Sequence, residues 1–235
     1  LLKDNVGESM LLLGNEAIAR GAIEAGVAFA AAYPGTPSSE IALQFFQISQ
    51  ESDLYFEYSA NEKVALEMAA GAAMCGLKAM VSMKHVGVNV AADALMTLAY
   101  TGINGALVLV AADDPFMFSS QNEQDSRYYG KLSGLPILEP SSVAEAKEMT
   151  LYAFELSAEL KLPVILRTTT RINHSSGMVP LGPMHPRVTK GRFEKNPFAY
   201  VCIPAVSRHL HPKLLEKNAR AAAIADQSQW NRIEG

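Results

Sequence analysis

Cysteine is scarce in this sequence of 235 residues, which contains only Cys75 and Cys202. Two thiols cannot build a disulfide framework, and they cannot supply the four thiolates that an iron–sulfur cluster requires. Any redox cluster that works with this chain is therefore expected on another domain or subunit.

Basic residues are not in excess either, because 24 Asp and Glu outnumber 20 Lys and Arg and leave a net charge of −4. A nucleic-acid-binding protein is ordinarily basic or carries a basic stripe, whereas the Lys and Arg residues here are scattered. The longest apolar runs, such as Ala106 to Ala112, are too short to span a bilayer. The N-terminal stretch Leu1 to Ser9 fits neither a secretory signal nor a transit peptide. We therefore expect a cytoplasmic protein that binds neither nucleic acid nor membrane.

Several common catalytic motifs are missing from the sequence. It contains no G-x-G-x-x-G, no G-x-x-x-x-G-K-[ST], no G-x-S-x-G and no H-E-x-x-H. These patterns mark dinucleotide sites, P-loops, hydrolase nucleophiles and zinc proteases, respectively. Their absence removes the usual basis for predicting each of these classes.

The pattern that is present alternates short apolar runs with helical periodicity. Strands are predicted at Val27 to Tyr33, Leu54 to Tyr58, Lys78 to Lys84, Ala106 to Ala111 and Pro163 to Arg167. Helices are predicted at Asn15 to Ala25, from Thr36 as N-cap with Pro37 in the first turn, at Asn61 to Gly76, from a His85-Val86-Gly87 turn to Tyr100, and at Ser142 to Leu160. This alternation indicates an α/β fold, a doubly wound parallel sheet with helices on both faces.

The pattern changes towards the C-terminus. Residues 10–172 are expected to form the α/β domain, and residues 173–235 an irregular connector with a helix from Pro212 to about Gln227. We expect the final stretch, Asn231 to Gly235, to add no closing element.

Ligands of open parallel sheets bind at the carboxyl ends of the strands, and the most informative residue at such an end is Glu62. Its helical neighbours Ala65, Leu66 and Ala69 are apolar, so the carboxylate shares a face with residues that should be buried. One interpretation is a capping box formed by Ser59 and Glu62. The other is a carboxyl group held in an apolar cleft to share a proton with a ligand nitrogen.

Several segments, in order and at matching intervals between Gly14 and Gly177, resemble the 2-oxoacid:ferredoxin oxidoreductases. The run YPGTPSSE at residues 33–40 and the run NEKVA at 61–65 resemble the turn and the cofactor-glutamate segment of that family. A second group of runs resembles the larger subunit of its indolepyruvate enzymes in particular. This group comprises KHVGVNVAAD at 84–93, LAYTG at 98–102, AADDP at 111–115 and SSQNEQDSR at 119–127. The tail through Pro204, His211-Pro212 and Asn231-Arg232 resembles the connector of that subunit more loosely.

The resemblance implies a thiamine diphosphate pyrimidine-binding domain. In it, Glu62 would be the catalytic residue and would hydrogen-bond N1′ of the cofactor's pyrimidine ring. The enzyme would oxidatively decarboxylate arylpyruvates such as indolepyruvate to acyl-CoA and reduce ferredoxin. The other residues implied around the cofactor are Thr36, Pro34, Gly35, His85 and Val86.

Candidates on the substrate side are Thr36, Lys84, His85, Asn89, Glu123 and Gln124. Three of these residues have simpler structural interpretations, namely Thr36 as an N-cap, His85 as a hydrogen-bonded residue of a turn, and Glu123 as part of a capping box from Ser120. Asp113 and Asp114 are adjacent carboxylates before a proline, which is ordinary turn chemistry, so we predict no metal site.

The Gly-Asp-Gly…Asn motif that holds Mg²⁺ and the diphosphate in thiamine enzymes does not occur in these 235 residues. By the resemblance, it belongs to a diphosphate-binding domain, and the iron–sulfur clusters belong to a ferredoxin-like domain. The further implied partners are a smaller second subunit, ferredoxin, the 2-oxoacid, coenzyme A and a second copy of the chain. The chain is then an excised domain or a separately encoded half, and we expect it to be inactive and to bind the cofactor weakly when alone.

Other functions remain open from the sequence. The enzyme could use pyruvate or a branched 2-oxoacid, or could be a decarboxylase that transfers no electrons. A third interpretation is a non-catalytic assembly module that pairs with a partner through the Ala-rich stretch Ala69 to Ala73.

Overall fold

The computed structural model describes residues 1–231, so Arg232 and the rest of the predicted terminal stretch lie outside the described residues. The strands are β1 (Ser9–Leu13), β2 (Phe29–Ala32), β3 (Tyr55–Tyr58), β4 (Lys78–Lys84), β5 (Ala106–Asp113), β6 (Ile137–Leu138), β7 (Val164–Thr169) and β8 (Ser176–Pro180). The α-helices are α1 (Gly14–Glu24), α2 (Ser39–Ser49), α3 (Glu62–Met74), α4 (His85–Thr101), α5 (Arg127–Ser133), α6 (Val143–Leu160), α7 (Thr170–Asn173), α8 (Pro197–Tyr200) and α9 (Pro204–Asp226).

Six strands form one parallel sheet in the order β3-β2-β4-β5-β7-β6. All eight residues of β5 are buried, as expected for a central strand that helices cover on both faces. Helices α3 and α4 pack together, and α1 packs against α2 and α6, which supplies the helical layers. The predicted α/β class with a doubly wound parallel sheet is confirmed.

The strand order reverses beside β2. The chain runs from β2 to β3 on one side and then crosses back, through α3, to β4 on the other side. In such sheets the loops at a reversal leave in opposite directions and open a crevice at the carboxyl ends of the strands. The loops that follow β2, β3 and β4 therefore surround the natural ligand site of this fold.

Three predicted helix starts are wrong. Helix α2 begins at Ser39 and not after Thr36, because the amide and hydroxyl of Ser38 both bond the Gly35 carbonyl and close a turn first, each at 2.9 Å. No turn separates β4 from α4, since Lys84 is extended and the helix begins at His85. Helix α9 begins at Pro204, and Pro212 lies inside it. The sequence also predicts a capping box from Ser142 to Glu145 at the start of α6. Its first half is present, because the Ser142 hydroxyl accepts a hydrogen bond from the Glu145 amide, but the Glu145 carboxylate accepts from Ser141 instead of the Ser142 amide.

Some short elements were not predicted. Helix α5 and strand β6 lie between β5 and α6, where the sequence predicted neither a helix nor a strand. Strands β1 and β8 pair antiparallel as a separate two-stranded sheet, so the start of the connector folds back onto the N-terminal segment. Among residues 1–231, no helix is long and apolar enough to cross a membrane.

Candidate functional site

The Glu62 side chain lies where the start of α3 meets the first turn of α4. Glu62 is the first residue of α3 and is only 9% exposed, and its predicted apolar neighbours Ala65, Leu66 and Ala69 are fully buried. The side chain lies across the first turn of α4, so close that a Cβ atom on Gly87 would stand 2.6 Å from Glu62 Cγ and Oε1. No residue in the described part of the chain donates a hydrogen bond to this carboxylate. It is thus a largely buried acceptor with no hydrogen-bond donor among residues 1–231.

The capping-box interpretation of Glu62 is wrong. The N-cap of α3 is Asn61, whose side-chain oxygen accepts a hydrogen bond from the Val64 amide at 3.0 Å. The Ser59 hydroxyl instead donates to Glu57 Oε1 at 2.7 Å. Because α3 is capped without Glu62, the simplest structural reason for a carboxylate at this position is removed.

The turn after β2 borders the same edge of the sheet. Pro34 is exposed, and Gly35 and Thr36 are half-buried. Gly35 packs on the stem of Lys84, since a Cβ on Gly35 would lie 2.8 Å from Lys84 Cδ. The Thr36 hydroxyl makes no hydrogen bond to any described residue, so it is free to bind a ligand. The turn after β2 is therefore in direct contact with the end of β4.

The buried side-chain amide of Asn15 anchors this turn. Its Nδ2 donates to the Pro37 carbonyl at 2.8 Å and to Glu40 Oε2 at 2.6 Å. The Asn15 side-chain oxygen accepts a hydrogen bond from Asn173, which follows β7. The position of the 34–37 turn thus depends on residues from distant parts of the chain.

His85 begins α4, and its imidazole is completely buried. The ring Nε2 lies 3.0 Å from the Asn122 carbonyl, and Nδ1 accepts from the Asp114 amide at 3.4 Å. These partners require the proton to sit on Nε2. Both nitrogens are bound to the backbone after β5, which favours the structural interpretation of His85. Its neighbour Val86 is half-buried.

The two remaining candidates on β4 and α4 also face the region after β5. Lys84 Nζ donates to the Ser119 carbonyl at 2.9 Å. Asn89 is exposed and accepts a hydrogen bond from the Tyr129 hydroxyl on α5. Burial raises the pKa of the Tyr129 phenol, so this hydroxyl remains a donor at neutral pH. Lys84 and Asn89 thus link the cleft to the segment that carries Glu123.

Glu123 and Gln124 belong to the loop after β5. No helix begins at Ser120, and the next helix, α5, has Ser126 as its N-cap, so the predicted capping box at Glu123 is wrong. The Glu123 carboxylate instead accepts a hydrogen bond from the Phe116 amide at 2.6 Å, and Gln124 donates to the Asn122 side chain at 2.8 Å. Glu123 is exposed at the edge of the sheet where His85 and Lys84 bind this loop.

Asp113 and Asp114 anchor the same loop and point to different partners. Asp113 accepts hydrogen bonds from the amide and hydroxyl of Ser126 and from Arg167 Nε at 2.8 Å. Asp114 accepts from Ser119, Ser120 and Thr170. Burial by itself raises the pKa of Asp114, but the hydrogen bonds from these three residues outweigh it and lower the pKa. Within residues 1–231 there is no group of three or more His, Cys, Asp and Glu that could hold a metal ion.

Sequence reasoning left two residues out of the site, namely Asn61 and Gly87. Asn61 was placed at the start of the helix, but its role as the cap was assigned to Ser59. Gly87 was quoted in a motif and interpreted as part of a turn. A glycine inside a helix is disfavoured relative to alanine, and that cost is the sequence signal that indicates a need for space.

A family model described as "Pyruvate flavodoxin/ferredoxin oxidoreductase, thiamine diP-bdg" matches residues 20–217. The chain is 52% identical over 240 residues to the indolepyruvate oxidoreductase subunit IorA of Pyrococcus horikoshii, covering 100% of this chain and 37% of that protein. It is 31% identical over 183 residues to the 2-oxoglutarate synthase subunit KorA of Archaeoglobus fulgidus, covering 75% of this chain and 53% of that protein. The chain therefore spans little more than a third of the length of the indolepyruvate relatives that it matches.

Solved structures confirm the fold. A 2-oxoglutarate:ferredoxin oxidoreductase from Magnetococcus marinus, solved with 2-oxoglutarate, coenzyme A and succinyl-CoA bound, superposes with a TM-score of 0.73 at 17% identity and covers 97% of this chain and 47% of that chain. A putative thiamin diphosphate-dependent enzyme from Mycobacterium smegmatis gives a TM-score of 0.56 at 19% identity, covering 76% of this chain and 34% of that chain. With the family model spanning most of its length, the chain belongs to the pyruvate flavodoxin/ferredoxin oxidoreductase family and contains the thiamine diphosphate-binding domain of that family.

Proposed function

We propose that this chain supplies the pyrimidine half of the thiamine diphosphate site in an enzyme that oxidatively decarboxylates arylpyruvates such as indolepyruvate. The products would be acyl-CoA and reduced ferredoxin. The preference for an aryl substrate is supported by the 49–52% identity to relatives named indolepyruvate oxidoreductase, against 31% to subunits named 2-oxoglutarate synthase. The observation that carries the proposal is the Glu62 carboxylate, largely buried and without a donor among residues 1–231.

The residues around this carboxylate fit the aminopyrimidine part of the cofactor. Glu62 is 9% exposed and its side chain accepts no hydrogen bond from residues 1–231, so its carboxylate is available to a ligand nitrogen. The missing side chain of Gly87 leaves the space that the Glu62 side chain itself occupies. Pro34, Gly35 and Val86 offer partly exposed apolar surface at the same edge, suited to contacts with a flat ring.

The chain's own residues would act by orientation and proton placement. When bound, thiamine diphosphate supplies a thiazolium ring that accepts the electron pair left by the departing CO₂. Glu62 would hold a proton at N1′ of the aminopyrimidine and so set the protonation of the exocyclic amine. The free Thr36 hydroxyl would orient the ring or the substrate. His85, with both ring nitrogens occupied, would act by holding the loop after β5.

The substrate side of the cleft would include Lys84, Asn89, Glu123 and Gln124. Their common location is the contact between the start of α4 and the loop after β5, as the hydrogen bond from Lys84 to Ser119 supports. Because Glu123 and Asn89 are exposed here, they are available to a 2-oxoacid or to another part of the enzyme.

The other half of the site would come from outside these residues. Residues 10–172 would form the pyrimidine-binding domain and 173–235 a connector to a diphosphate-binding domain that holds Mg²⁺. A ferredoxin-like domain with iron–sulfur clusters, a smaller second subunit, ferredoxin, coenzyme A and a second copy of the chain would complete a cytoplasmic enzyme. The 37% share of the indolepyruvate relatives' length leaves room for such domains.

The alternative of a non-catalytic assembly module has less support. It depended on the Ala-rich stretch 69–73 as a pairing surface. However, Ala69, Ala70 and Ala73 are buried in the chain's own core, so most of that stretch is not available to a partner.

The test is Glu62→Gln in the assembled enzyme, with Glu67→Gln on the exposed side of the same helix as the matched control. Indolepyruvate-dependent reduction of ferredoxin should fall ~10²–10⁴-fold for the variant at position 62, because the amide cannot hold the proton. The control should keep its rate. Wild-type turnover by the variant at position 62 would refute the role of the carboxylate. A wild-type enzyme that prefers pyruvate or 2-oxoglutarate would refute the substrate class.

A further inference from the structure

We infer that Gly87 is a positioning residue for Glu62, because its missing side chain creates the space in which the carboxyl group sits. This inference rests on the proposed function and adds to it a second residue of the chain. The contact joins the first turn of α4 to the first residue of α3.

The space beside Gly87 is completely filled by Glu62. A Cβ on Gly87 would lie 2.6 Å from Glu62 Cγ, 2.6 Å from Oε1 and 2.9 Å from Cδ. Non-bonded carbon atoms prefer separations of about 3.5–4.0 Å. Because Cγ as well as the carboxyl group is too close, a small shift of the terminal oxygen would not relieve the clash. The Glu62 side chain would have to adopt another rotamer and leave its position beside Gly87.

Backbone conformation does not explain the glycine. Gly87 lies inside α4 and is not among the glycines with positive φ, so any L-amino acid could adopt its backbone angles. Alanine would also favour the helix more than glycine does. The close approach of Glu62 is thus the physical reason for glycine at this position.

The chain offers a matched control in Gly71. This glycine also lies inside a helix, α3, and has no positive φ. A Cβ on Gly71 would meet nothing within 4 Å. Gly71→Ala therefore introduces the same methyl group into a helix without touching Glu62.

The catalytic consequence is measured in the assembled enzyme by the rate of hydrogen–deuterium exchange at C2 of bound thiamine diphosphate. Gly87→Ala should slow the exchange ~10²-fold or more, because the carboxyl group loses its place at N1′. Gly71→Ala should change the rate less than about twofold. Gly87→Ala combined with Glu62→Gln should be no slower than Glu62→Gln alone, since both changes remove the same interaction. The KM for the 2-oxoacid should stay the same.

The contact itself is measured without cofactor, from the melting temperatures of this chain in a double-mutant cycle. Gly87→Ala changes the Tm in both backgrounds. The change should be about 2–6 °C more destabilising when Glu62 is present than in a Glu62→Ala background, where the clash is absent. Gly71→Ala should give the same shift in both backgrounds. Equal shifts for Gly87→Ala in both backgrounds would overturn the inference.

The two proposals fail in different ways. If Glu62→Gln slows C2 exchange but Gly87→Ala does not, the positioning role is refuted and the proposed function stands. If Glu62→Gln leaves the exchange unchanged, the proposed function is refuted, and the catalytic role of Gly87 is refuted with it.

Discussion

Two ends of parallel strands in this domain carry buried carboxylates, and the protein treats them in opposite ways. At the end of β5, Asp113 and Asp114 accept hydrogen bonds from Ser126, Arg167 and three further residues of the chain. After β3, Glu62 is also largely buried, but no described residue donates a hydrogen bond to it.

This difference separates structural from functional acidic residues. Most buried polar groups in proteins have hydrogen-bond partners, and Asp113 and Asp114 follow that rule. The carboxylates of β5 fix a loop to the sheet, so their partners lie within the chain. The Glu62 carboxylate has space, burial and an open acceptor, which is what a group reserved for an external ligand requires.

The largest expected effect on stability is that of Asp113→Asn. The matched comparison is the same carboxyl-to-amide change at Glu62. Asp113→Asn breaks a buried ion pair with Arg167 and should lower the free energy of unfolding by about 3–5 kcal/mol. Glu62→Gln loses no internal donor and should change the free energy by less than about 1 kcal/mol. Urea denaturation of the two variants measures the contrast. A loss at position 62 as large as that at position 113 would show that Glu62 is a structural residue.

A smaller effect with a characteristic pH dependence is expected at Asp114. Asp114→Asn should cost about 2 kcal/mol at neutral pH, because Ser119, Ser120 and Thr170 donate to the buried Asp114 carboxylate and would lose a charged acceptor. Since folding lowers the pKa of this carboxyl group, its contribution is complete above the unfolded value of about 3.9 and is lost as the pH falls through the folded pKa.

The measurement is the difference in unfolding free energy between wild type and Asp114→Asn across acidic pH. The difference should be constant above about pH 5 and should shrink below about pH 4. A difference that grows as the pH falls would contradict the lowered pKa.

The smallest effect distinguishes the observed cap of α3 from the capping box that the sequence suggested. Asn61→Ala should cost about 1 kcal/mol, because the Val64 amide loses its acceptor. Ser59→Ala should change the free energy by less than about 0.5 kcal/mol, since the Ser59 hydroxyl bonds only Glu57. Thermal unfolding of both variants decides between them, and a larger loss at Ser59 than at Asn61 would restore the capping-box interpretation.

Local sequence patterns predicted the sheet and its most informative acidic residue. The bounds of β4 agree with the prediction at both ends, because a continuous apolar run in a parallel sheet has few alternatives. Glu62 could be singled out because its i+3, i+4 and i+7 neighbours are apolar and are indeed buried.

The surroundings of these residues could not be predicted in the same way. The partners of His85 lie 29 and 37 residues away in the sequence, and the approach of Glu62 to Gly87 depends on how α3 packs against α4. Such contacts are set by the packing of the whole fold. The predicted start of α2 was wrong for a related reason. The sequence Thr36-Pro37 favours a helix start, but Ser38 closes a turn on Gly35 and the helix begins after it.

The central claim is that the Glu62 carboxyl group is kept free of internal partners for the pyrimidine ring of the cofactor. The most direct test is a crystal structure of the assembled enzyme with thiamine diphosphate bound. We predict a Glu62 carboxyl oxygen within about 2.6–3.2 Å of N1′, with Gly87 still packed against its stem. A pyrimidine ring held by another residue, with Glu62 turned towards solvent or bonded to a donor of its own chain, would contradict the account.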